Sequence, residues 1–520
     1  MNRAAAARSA GLLSGTLLMS SLVVATPVSA AIGEVGGAAK APAIEWQECP
    51  EYSDEDLRRL GVSEEKLEEY RQLLGRTECG TISVPLDYDD PAGKQISIAL
   101  TRLKAADQKH RRGSLAFNPG GPGGSGYLMP HRIVTNGAEL DERYDLIGID
   151  PRGVGSSTKV ACPEGQWSER PPGPVTEEHA RKAYAETVKI NRECAQSNPE
   201  FLEQVTAANV ARDIDRIRAA LGEPKISFLA GSWGAWLGAV LGSLFPGKVD
   251  RMWLDSVAPP DHRRDTGVEA GAKAAHRNFQ RMAAWIAARD DTYGFGTTTK
   301  DVVAALEDMQ KAYDADPLTF TDIGLTVDGT LIAEAAVRPS TQWPRAAQVL
   351  KELVDAEGPT APPAVKEMFG PQQDGRELTA NRAFQCNEEL GERTFESWWN
   401  AYLKRVQRYP VTGRTVAATP YVAPCAGWPL PAQKTDLRPF GGSLMLSGHL
   451  HESMSPYEST PAMREAIGGT VVTIDDDVHG SAFQVPGCIE KLVDYFETGK
   501  RTTTCPGMPL PESAETRNRV

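Results

Sequence analysis

The stretch Ile226-Ser227-Phe228-Leu229-Ala230-Gly231-Ser232-Trp233-Gly234-Ala235-Trp236-Leu237-Gly238-Ala239 decides the fold. An apolar, β-rich run meets a turn of small residues around Ser232, and an Ala/Leu/Gly segment of helical composition follows. This is the layout of a nucleophile elbow, in which a tight strand-to-helix turn lifts a serine hydroxyl clear of a sheet. Small residues flank the serine because the reversing backbone leaves no room for larger side chains. A helix starting at Trp233 also points free N–H groups at the bond under attack. The pattern G-x-S-x-G reads here Ala230-Gly231-Ser232-Trp233-Gly234, with alanine in the first place. Gly/Ser turns between strands and helices are common and usually structural, so the weight comes from the flanks.

Upstream, Ser114-Leu115-Ala116-Phe117 reads as a short buried strand running into Asn118-Pro119-Gly120-Gly121-Pro122-Gly123-Gly124-Ser125-Gly126. A phosphate loop is excluded, because no Lys-Ser/Thr follows and the glycine spacing is wrong. An oxyanion loop fits, since glycines let backbone N–H groups approach a developing negative charge. Thr81 to Tyr88 and Gln95 to Leu103 have β composition around an Asp-Asp-Pro-Ala-Gly turn, and Tyr144 to Asp150 is another buried strand. Val210, Ile214, Ile217 and Leu221 mark an amphipathic helix closed by Gly222. Arg251 to Val257 is a further apolar strand after the elbow. Alternating strands and helices imply a mostly parallel α/β sheet.

From 258 to 435 the rhythm turns helical. Phe279, Met282 and Ile286 share a face, Asp301 can cap a helix bearing Leu306 and Met309, and Arg345 to Glu357 and the region of Trp398-Trp399 are helical. A mainly helical insertion between sheet strands is expected to be a lid. Strands resume at Ser443 to Ser447 and Thr470 to Ile474, with a closing helix near Ile489 to Glu497. The expected organisation is thus 44–257 and 436–520 as the two parts of one core, with 258–435 as the lid between them.

The 520 residues are enough for more than one domain or one large domain with an insertion, and 41% hydrophobic with 24% charged is an ordinary globular composition. Residues 1–30 read as a signal peptide: Arg3 and Arg8, an apolar stretch from Leu12 to Val24, and Val28-Ser29-Ala30 as cleavage site. Residues 31–43, rich in Ala, Gly and Pro, read as a flexible leader or pro-segment. No run is long enough to span a bilayer. Removing Arg3 and Arg8 takes the formal charge from −13 to −15, and an acidic chain without a basic cluster argues against nucleic acid. Eight cysteines lie downstream of the signal, as expected in an oxidising compartment. They fall into neighbours, Cys49 with Cys79, Cys162 with Cys194, Cys386 with Cys425 and Cys488 with Cys505, and neighbour pairing is the simplest of the many connectivities open. A structural zinc site is the rival, but no C-x-x-C occurs.

A serine hydroxyl needs a base within hydrogen-bond reach. In elbow proteins the partners follow in the order serine, acid, histidine, on loops at the carboxyl ends of strands. Of eight histidines only His449, His451 and His479 lie after the lid. His479 follows the strand Val471 to Ile474 and precedes Gly480, where the base belongs. His449 and His451 follow the preceding strand, where the acid belongs, and Glu452 stands beside them. Asp475, Asp476 and Asp477 are rivals for the acid, but they are too close in sequence to His479 to occupy that earlier loop. A carboxylate at Glu452 would hold the imidazole tautomer and stabilise the imidazolium. The oxyanion donors are expected to be the backbone N–H groups of Gly121 and Trp233.

Asn118 to Gly126, Asp150-Pro151-Arg152-Gly153-Val154-Gly155, the elbow with Leu237-Gly238-Ala239, Cys425-Ala426-Gly427-Trp428-Pro429 and Ser455-Pro456-Tyr457-Glu458 together resemble the secreted bacterial tripeptidyl aminopeptidases. These belong to the prolyl-iminopeptidase-like branch of the α/β-hydrolases. The match runs from about Trp46 to Cys505 and is weakest in the lid. The resemblance implies an α/β-hydrolase fold with a mostly parallel central sheet and a large, mainly helical lid. It places the nucleophile at Ser232 and the base at His479. The family's acid is usually an aspartate four residues before the proline of a Thr-Pro pair, a position held here by Glu452. Glutamate there and Ala230 in the elbow both depart from the pattern. A lid Cys-x-acid, here Cys386-Asn387-Glu388, makes Glu388 the candidate to bind a substrate's free amino group, with Glu389 as alternate; a solvated glutamate at a helix end is the plain alternative. The expected protein is a secreted, monomeric serine exopeptidase that releases tripeptides, or short N-terminal peptides, from free amino ends and uses no cofactor or metal. The alternatives are an exported esterase or N-acyl hydrolase of small molecules, and a binding protein on a dead hydrolase scaffold.

Overall fold

The structure, a computed structural model, describes residues 43–163, 170–370, 377–415 and 420–512. The signal segment 1–30 lies outside these residues, as does the 31–43 leader except for Ala43. In chain order the strands are β1 (Glu45–Gln47), β2 (Thr77–Pro85), β3 (Gln95–Leu103), β4 (Gly113–Asn118), β5 (Tyr144–Ile149), β6 (Ile226–Gly231), β7 (Val249–Asp255), β8 (Leu318–Phe320), β9 (Leu325–Val327), β10 (Ser443–His449), β11 (Thr470–Ile474) and β12 (Thr504–Cys505). Ten of them form one sheet in the order β1-β2-β3-β5-β4-β6-β7-β10-β11-β12, and β8 and β9 make a separate hairpin. From β5 to β12 every neighbour is parallel, while β1, β2 and β3 join antiparallel at one edge. Every residue of β5 and β6 is buried, the signature of parallel strands covered on both faces.

Two helices press on the elbow strand from one side. Trp233–Leu244 is apolar all round and buried from Trp233 to Ser243, so it is packed on every face. Ala207–Ala220 buries Val210, Ile214 and Ile217, and Thr206 caps it by accepting from the Asn209 N–H. Both helices share the main core with β4, β5, β6 and β7.

Between β7 and β10 the chain forms helices Arg264–Ala287, Asp290–Tyr293, Thr299–Ala315, Gly329–Ala336, Trp343–Val354, Pro363–Phe369, Leu378–Asn387 and Phe395–Arg408, together with the β8–β9 hairpin. Phe279, Met282, Ile286, Leu306, Trp343 and Leu350 build a second hydrophobic core within this segment. Several details differ from the sequence expectation. Thr298, not Asp301, is the N-cap of its helix; Asp301 sits three residues in and closes a reciprocal capping box. The helix expected over 345–357 starts at Trp343, because Pro344 suits a first turn, and it ends at Val354. β2 runs from Thr77 to Pro85 rather than from Thr81 to Tyr88, since its ladder pairs Thr77 with Leu103 and Pro85 with Gln95. The long helix Glu177–Ser197 has no counterpart in the sequence expectation, because Ile190 is the one large aliphatic among its buried residues and Thr187, Asn191 and small residues fill the rest of that face. Disulfides join Cys49 to Cys79, Cys162 to Cys194, Cys386 to Cys425 and Cys488 to Cys505. No helix among the described residues is long and apolar enough to cross a membrane.

Candidate active site

β6 delivers Ser232 into the turn with φ 59° and ψ −130°, a positive φ that a side-chain-bearing residue rarely adopts. Such a conformation costs about 1–3 kcal/mol and persists only where its surroundings dictate it. Here they do. The Ser232 N–H donates to the carbonyl of Asp255 at the end of β7 (3.0 Å), and the Ser232 carbonyl accepts from Ala235 N–H (2.8 Å). A Cβ at Gly234 would stand 2.7 Å from the Asn118 carbonyl oxygen, so this place in the motif tolerates only glycine. Ala230, by contrast, has an ordinary φ and buries its methyl in the core, which is why alanine can open the motif.

The glycine loop leans on this turn. A Cβ at Gly120 would lie 2.6 Å from the Gly231 carbonyl oxygen and 2.8 Å from Ser232 Cβ. Asn118 Oδ1 accepts from Gly120 N–H (2.9 Å) and sets the loop's path. The helix Leu378–Asn387 covers the loop from outside: Asn381 Nδ2 donates to the Pro122 carbonyl (2.7 Å), Glu377 N–H to the Gly123 carbonyl (3.0 Å), and Phe384 packs on Trp233. Trp233 is the first residue of its helix, so its N–H has no intrahelical acceptor. Gly120, next to Gly121, would bring a Cβ within 3.0 Å of the Trp233 nitrogen.

His479 lies beyond β11, just before Gly480 in the left-handed region. Its Nδ1 hydrogen-bonds Glu452 Oε1, which also accepts from Ser455 N–H (2.9 Å). Glu452 is only 1% exposed. Burial pulls the His479 pKa down, but the bond to Glu452 and that residue's charge outweigh it, so the imidazole holds its proton above the usual range. The main chain ties the His479 loop to Ser232: Asp255 accepts from Ser232 N–H, and the next hydroxyl, Ser256 Oγ, accepts from Gly480 N–H (3.0 Å).

The three rival aspartates are engaged elsewhere. Asp475 pairs with His451 Nε2 (3.0 Å), Asp476 with His449 Nδ1 (2.7 Å), and Asp477 accepts from Asn278 Nδ2 (2.6 Å). His449 is not a loop residue; it ends β10 and is fully buried, because the strand runs two residues past the apolar Ser443–Ser447 run.

Glu388 lies immediately after the helix Leu378–Asn387, tied to the loop at Cys425 by the disulfide of Cys386. It is 2% exposed. Oε1 accepts from Ala207 N–H (2.6 Å) and Oε2 from Trp236 Nε1 (2.9 Å), one helical turn along from Ser232. Burial pushes its pKa up to about 7 against those two bonds. His262 donates from Nδ1 to the Glu388 carbonyl (3.1 Å), lies over Trp236 with ring centroids 5.1 Å apart, and is pushed down to about 4 by burial. Glu389 is also buried. It accepts from the N–H groups of Gly391 (2.6 Å) and Arg264 (3.2 Å), and burial raises its pKa. Sequence reasoning missed Trp236, Asp255, Ser256, His262 and His449 as site residues; the one signal that could have found any of them is the polar end of an apolar strand, at Asp255 and His449.

An elbow serine on a parallel sheet, a glycine loop against it and a histidine–carboxylate pair from the following strands define a serine hydrolase of the α/β-hydrolase fold. Comparison with known proteins takes this further. The model for the alpha/beta hydrolase fold matches residues 113–314, and that for TAP-like proteins matches residues 409–505. The chain is 30% identical over 482 residues to the tripeptidyl aminopeptidase of Streptomyces lividans, covering 86% of this chain and 87% of that one. It is 27% identical over 461 residues to the serine protease Hip1 of Mycobacterium tuberculosis (83% and 87% covered). It is 27% identical over 526 residues to a carboxylesterase B of the same species (94% and 95%). The chain belongs to the tripeptidyl aminopeptidase family, and it is a serine hydrolase.

Proposed function

We propose that the protein is an exported aminopeptidase that removes tripeptides from free amino ends, with Ser232 as nucleophile, His479 as base and Glu452 as the carboxylate behind the base. The observation that carries this is the pairing of His479 Nδ1 with buried Glu452, on loops tied through Asp255–Ser256 to a serine held at positive φ. Ser232 Oγ attacks the scissile carbonyl as its proton passes to His479 Nε2, and the N–H groups of Gly121 and Trp233 receive the oxyanion. The imidazolium, stabilised by Glu452, gives that proton to the leaving amine nitrogen as the C–N bond breaks. Water then repeats the cycle on the acyl-enzyme and frees the peptide acid with Ser232 restored.

The segment 258–435 acts as the lid between the core parts 44–257 and 436–520, and it restricts the triad to chain ends. Glu388 is the group that pairs with the substrate ammonium, with Glu389 as alternate. Each carboxylate oxygen of Glu388 accepts one hydrogen bond and retains a second lone pair for a cation. Export is supported by the 1–30 signal pattern and by four disulfides. The test is a panel of mono-, di-, tri- and tetrapeptide chromogenic amides with free and acetylated amino ends. The free tripeptide amide should be cleaved best, and equal cleavage of acetylated tripeptides would refute the aminopeptidase reading.

One observation favours a second reading, an esterase or N-acyl hydrolase of small molecules: the carboxylesterase B relative spans nearly the whole chain. Turnover of short acyl esters with no turnover of any peptide amide would select it.

A further inference from the structure

Under the proposed triad lies a second polar cluster that the reaction as written does not use. Asp255 and His449 are fully buried and Asp476 nearly so. His449 Nε2 faces Asp255 Oδ1 (3.1 Å) and its Nδ1 faces Asp476 Oδ1 (2.7 Å). With a carboxylate oxygen before each nitrogen, both nitrogens donate and the ring is an imidazolium. Asp255 Oδ1 also accepts from Ser447 Oγ, which in turn accepts from Trp253 Nε1 (2.8 Å). Asp476 Oδ2 accepts from Ser481 Oγ (2.6 Å) and Met508 N–H (2.8 Å), and Ser481 stands two residues beyond His479. The cluster therefore clamps the end of β7, the end of β10 and the loop that carries the base.

We propose that Asp255 is a positioning residue for the reaction: its carbonyl fixes Ser232, its carboxylate is a second anion acting on His479 beside Glu452, and the His449 imidazolium holds that carboxylate in place. The proposal rests on the Ser232–His479–Glu452 reading. Its geometric core is an asymmetry in Asp255. Oδ1 takes every hydrogen bond the side chain makes, while Oδ2 is buried and accepts none among the described residues. Buried carboxylate oxygens ordinarily find a hydrogen-bond donor. The neighbouring Ser256 accepts from the N–H of Gly480, the residue after His479, so the uncompensated oxygen puts a negative field where the imidazole becomes a cation.

The charged groups around His479 come from four places: Glu452 after β10, Asp255 at the end of β7, His449 at the end of β10, and Asp476 with Asp477 after β11. Asp477 is occupied by Asn278 Nδ2 and Ser340 N–H. Against the lowering by burial, Glu452 and Asp255 raise the proton affinity of His479, and His449 lowers it. Removing Asp255's charge should thus make the base weaker, and removing His449's charge should make it stronger.

Asp255→Asn is suited to the test, because an amide oxygen at Oδ1 keeps the bonds from Ser447 and His449, and the amide nitrogen takes the place of an oxygen that had no partner. The readout is the pH profile of kcat/KM on a simple p-nitrophenyl ester, with active sites counted by a fluorophosphonate. In Asp255→Asn the acid limb should move down by about one pH unit. kcat should fall by about tenfold with KM little changed. Ser447→Ala, which removes a hydrogen bond from Asp255 and leaves its charge, should keep the limb in place. If Asp255→Asn does not accumulate folded, His449→Gln answers with the opposite sign, the limb moving up. A limb unmoved in the charge variant, with kcat lowered alike by Ser447→Ala, would reduce Asp255 to a structural part and overturn the proposal. Full activity in Ser232→Ala would instead remove the triad reading on which it rests.

Discussion

Glu388 is predicted to be costly to the fold in a pH-dependent way, and Glu388→Gln measures that cost. The folded protein pushes this carboxyl from 4.5 to about 7 by burial. In the unfolded chain it ionises near its ordinary pKa, so the fold disfavours the charged form. The stability contributed by this group is therefore greatest below about pH 4.5, where the carboxyl is protonated in both states; it falls as pH rises towards 7 and is constant above that. At about 1.4 kcal/mol for each tenfold difference in proton affinity, the loss between pH 5 and pH 8 is roughly 2.5 kcal/mol. Glutamine has no such loss. It forfeits one of the two acceptors facing Ala207 N–H and Trp236 Nε1, a cost of about 1–3 kcal/mol, but that cost does not vary with pH. The difference between variant and wild type should thus shift in the variant's favour by roughly 2.5 kcal/mol from pH 5 to pH 8. With an unfolding entropy of roughly 1 kcal/mol/K for the 454 described residues, this is a change of about 2–3 °C in relative Tm. Calorimetry of both proteins at pH 5, 6.5 and 8, disulfides intact, reads it directly. A Tm difference that is the same at all three values would refute the perturbed carboxyl. The same variant should lose tenfold or more in kcat/KM on free-amine tripeptide amides and little on simple esters, as expected for a charged hydrogen bond. Equal loss on both would remove Glu388 as the amine anchor.

Three further outcomes are expected. Ser232→Ala should lower turnover by several thousand-fold with the fold retained, since it removes the nucleophile and little packing; near-normal activity at matched stability would overturn the elbow assignment. Glu452→Gln should lower kcat by about 10³–10⁴, because a carboxamide neither fixes the Nδ1–H tautomer nor stabilises the imidazolium; a loss under tenfold would show that another carboxylate serves His479. Gly120→Ala should abolish activity through displacement of the elbow, because its Cβ would fall 2.6 Å from the Gly231 carbonyl oxygen and 2.8 Å from Ser232 Cβ; a variant with wild-type kcat would show that the loop is free to move away.

What the sequence made legible follows from which forces act locally. The strands β4, β5 and β6 are continuous apolar runs, since both faces of a parallel sheet are covered, and the elbow adds a turn that only small residues can make. The amphipathic helix Ala207–Ala220 shows its period because one face only is buried. The helix Glu177–Ser197 shows it less plainly, because Thr187 and Asn191 share the buried face with Ala180, Ile190 and Cys194. The places of His479 and Glu452 could be read from strand order alone. The cluster of Asp255, His449 and Asp476 could not, since its members come from three strand ends and nothing in their sequence spacing marks their meeting. Glu388 was legible only through the cysteine two residues before it; its contacts with Ala207 and Trp236 depend on how the insertion packs on the core.

The charge balance around the elbow connects these buried groups to the proposed substrate. Asp255 and Asp476 face the His449 imidazolium and Glu452 faces His479, so three carboxyl groups meet one cation before His479 takes up a proton. In the proposed reaction, proton transfer from Ser232 to His479 would reduce that excess and favour the step at which an oxyanion and an imidazolium form together. Beside Trp236 of the elbow helix, Glu388 is held near the point of ionisation by burial acting against the two hydrogen bonds it accepts. A substrate ammonium brought beside it would draw off its proton and complete an ion pair shielded from water, whereas an acetylated end would leave the carboxyl neutral and gain nothing from it. The same buried glutamate that weakens the fold above neutral pH would therefore select for a free amino end, and the two effects can be measured in one variant.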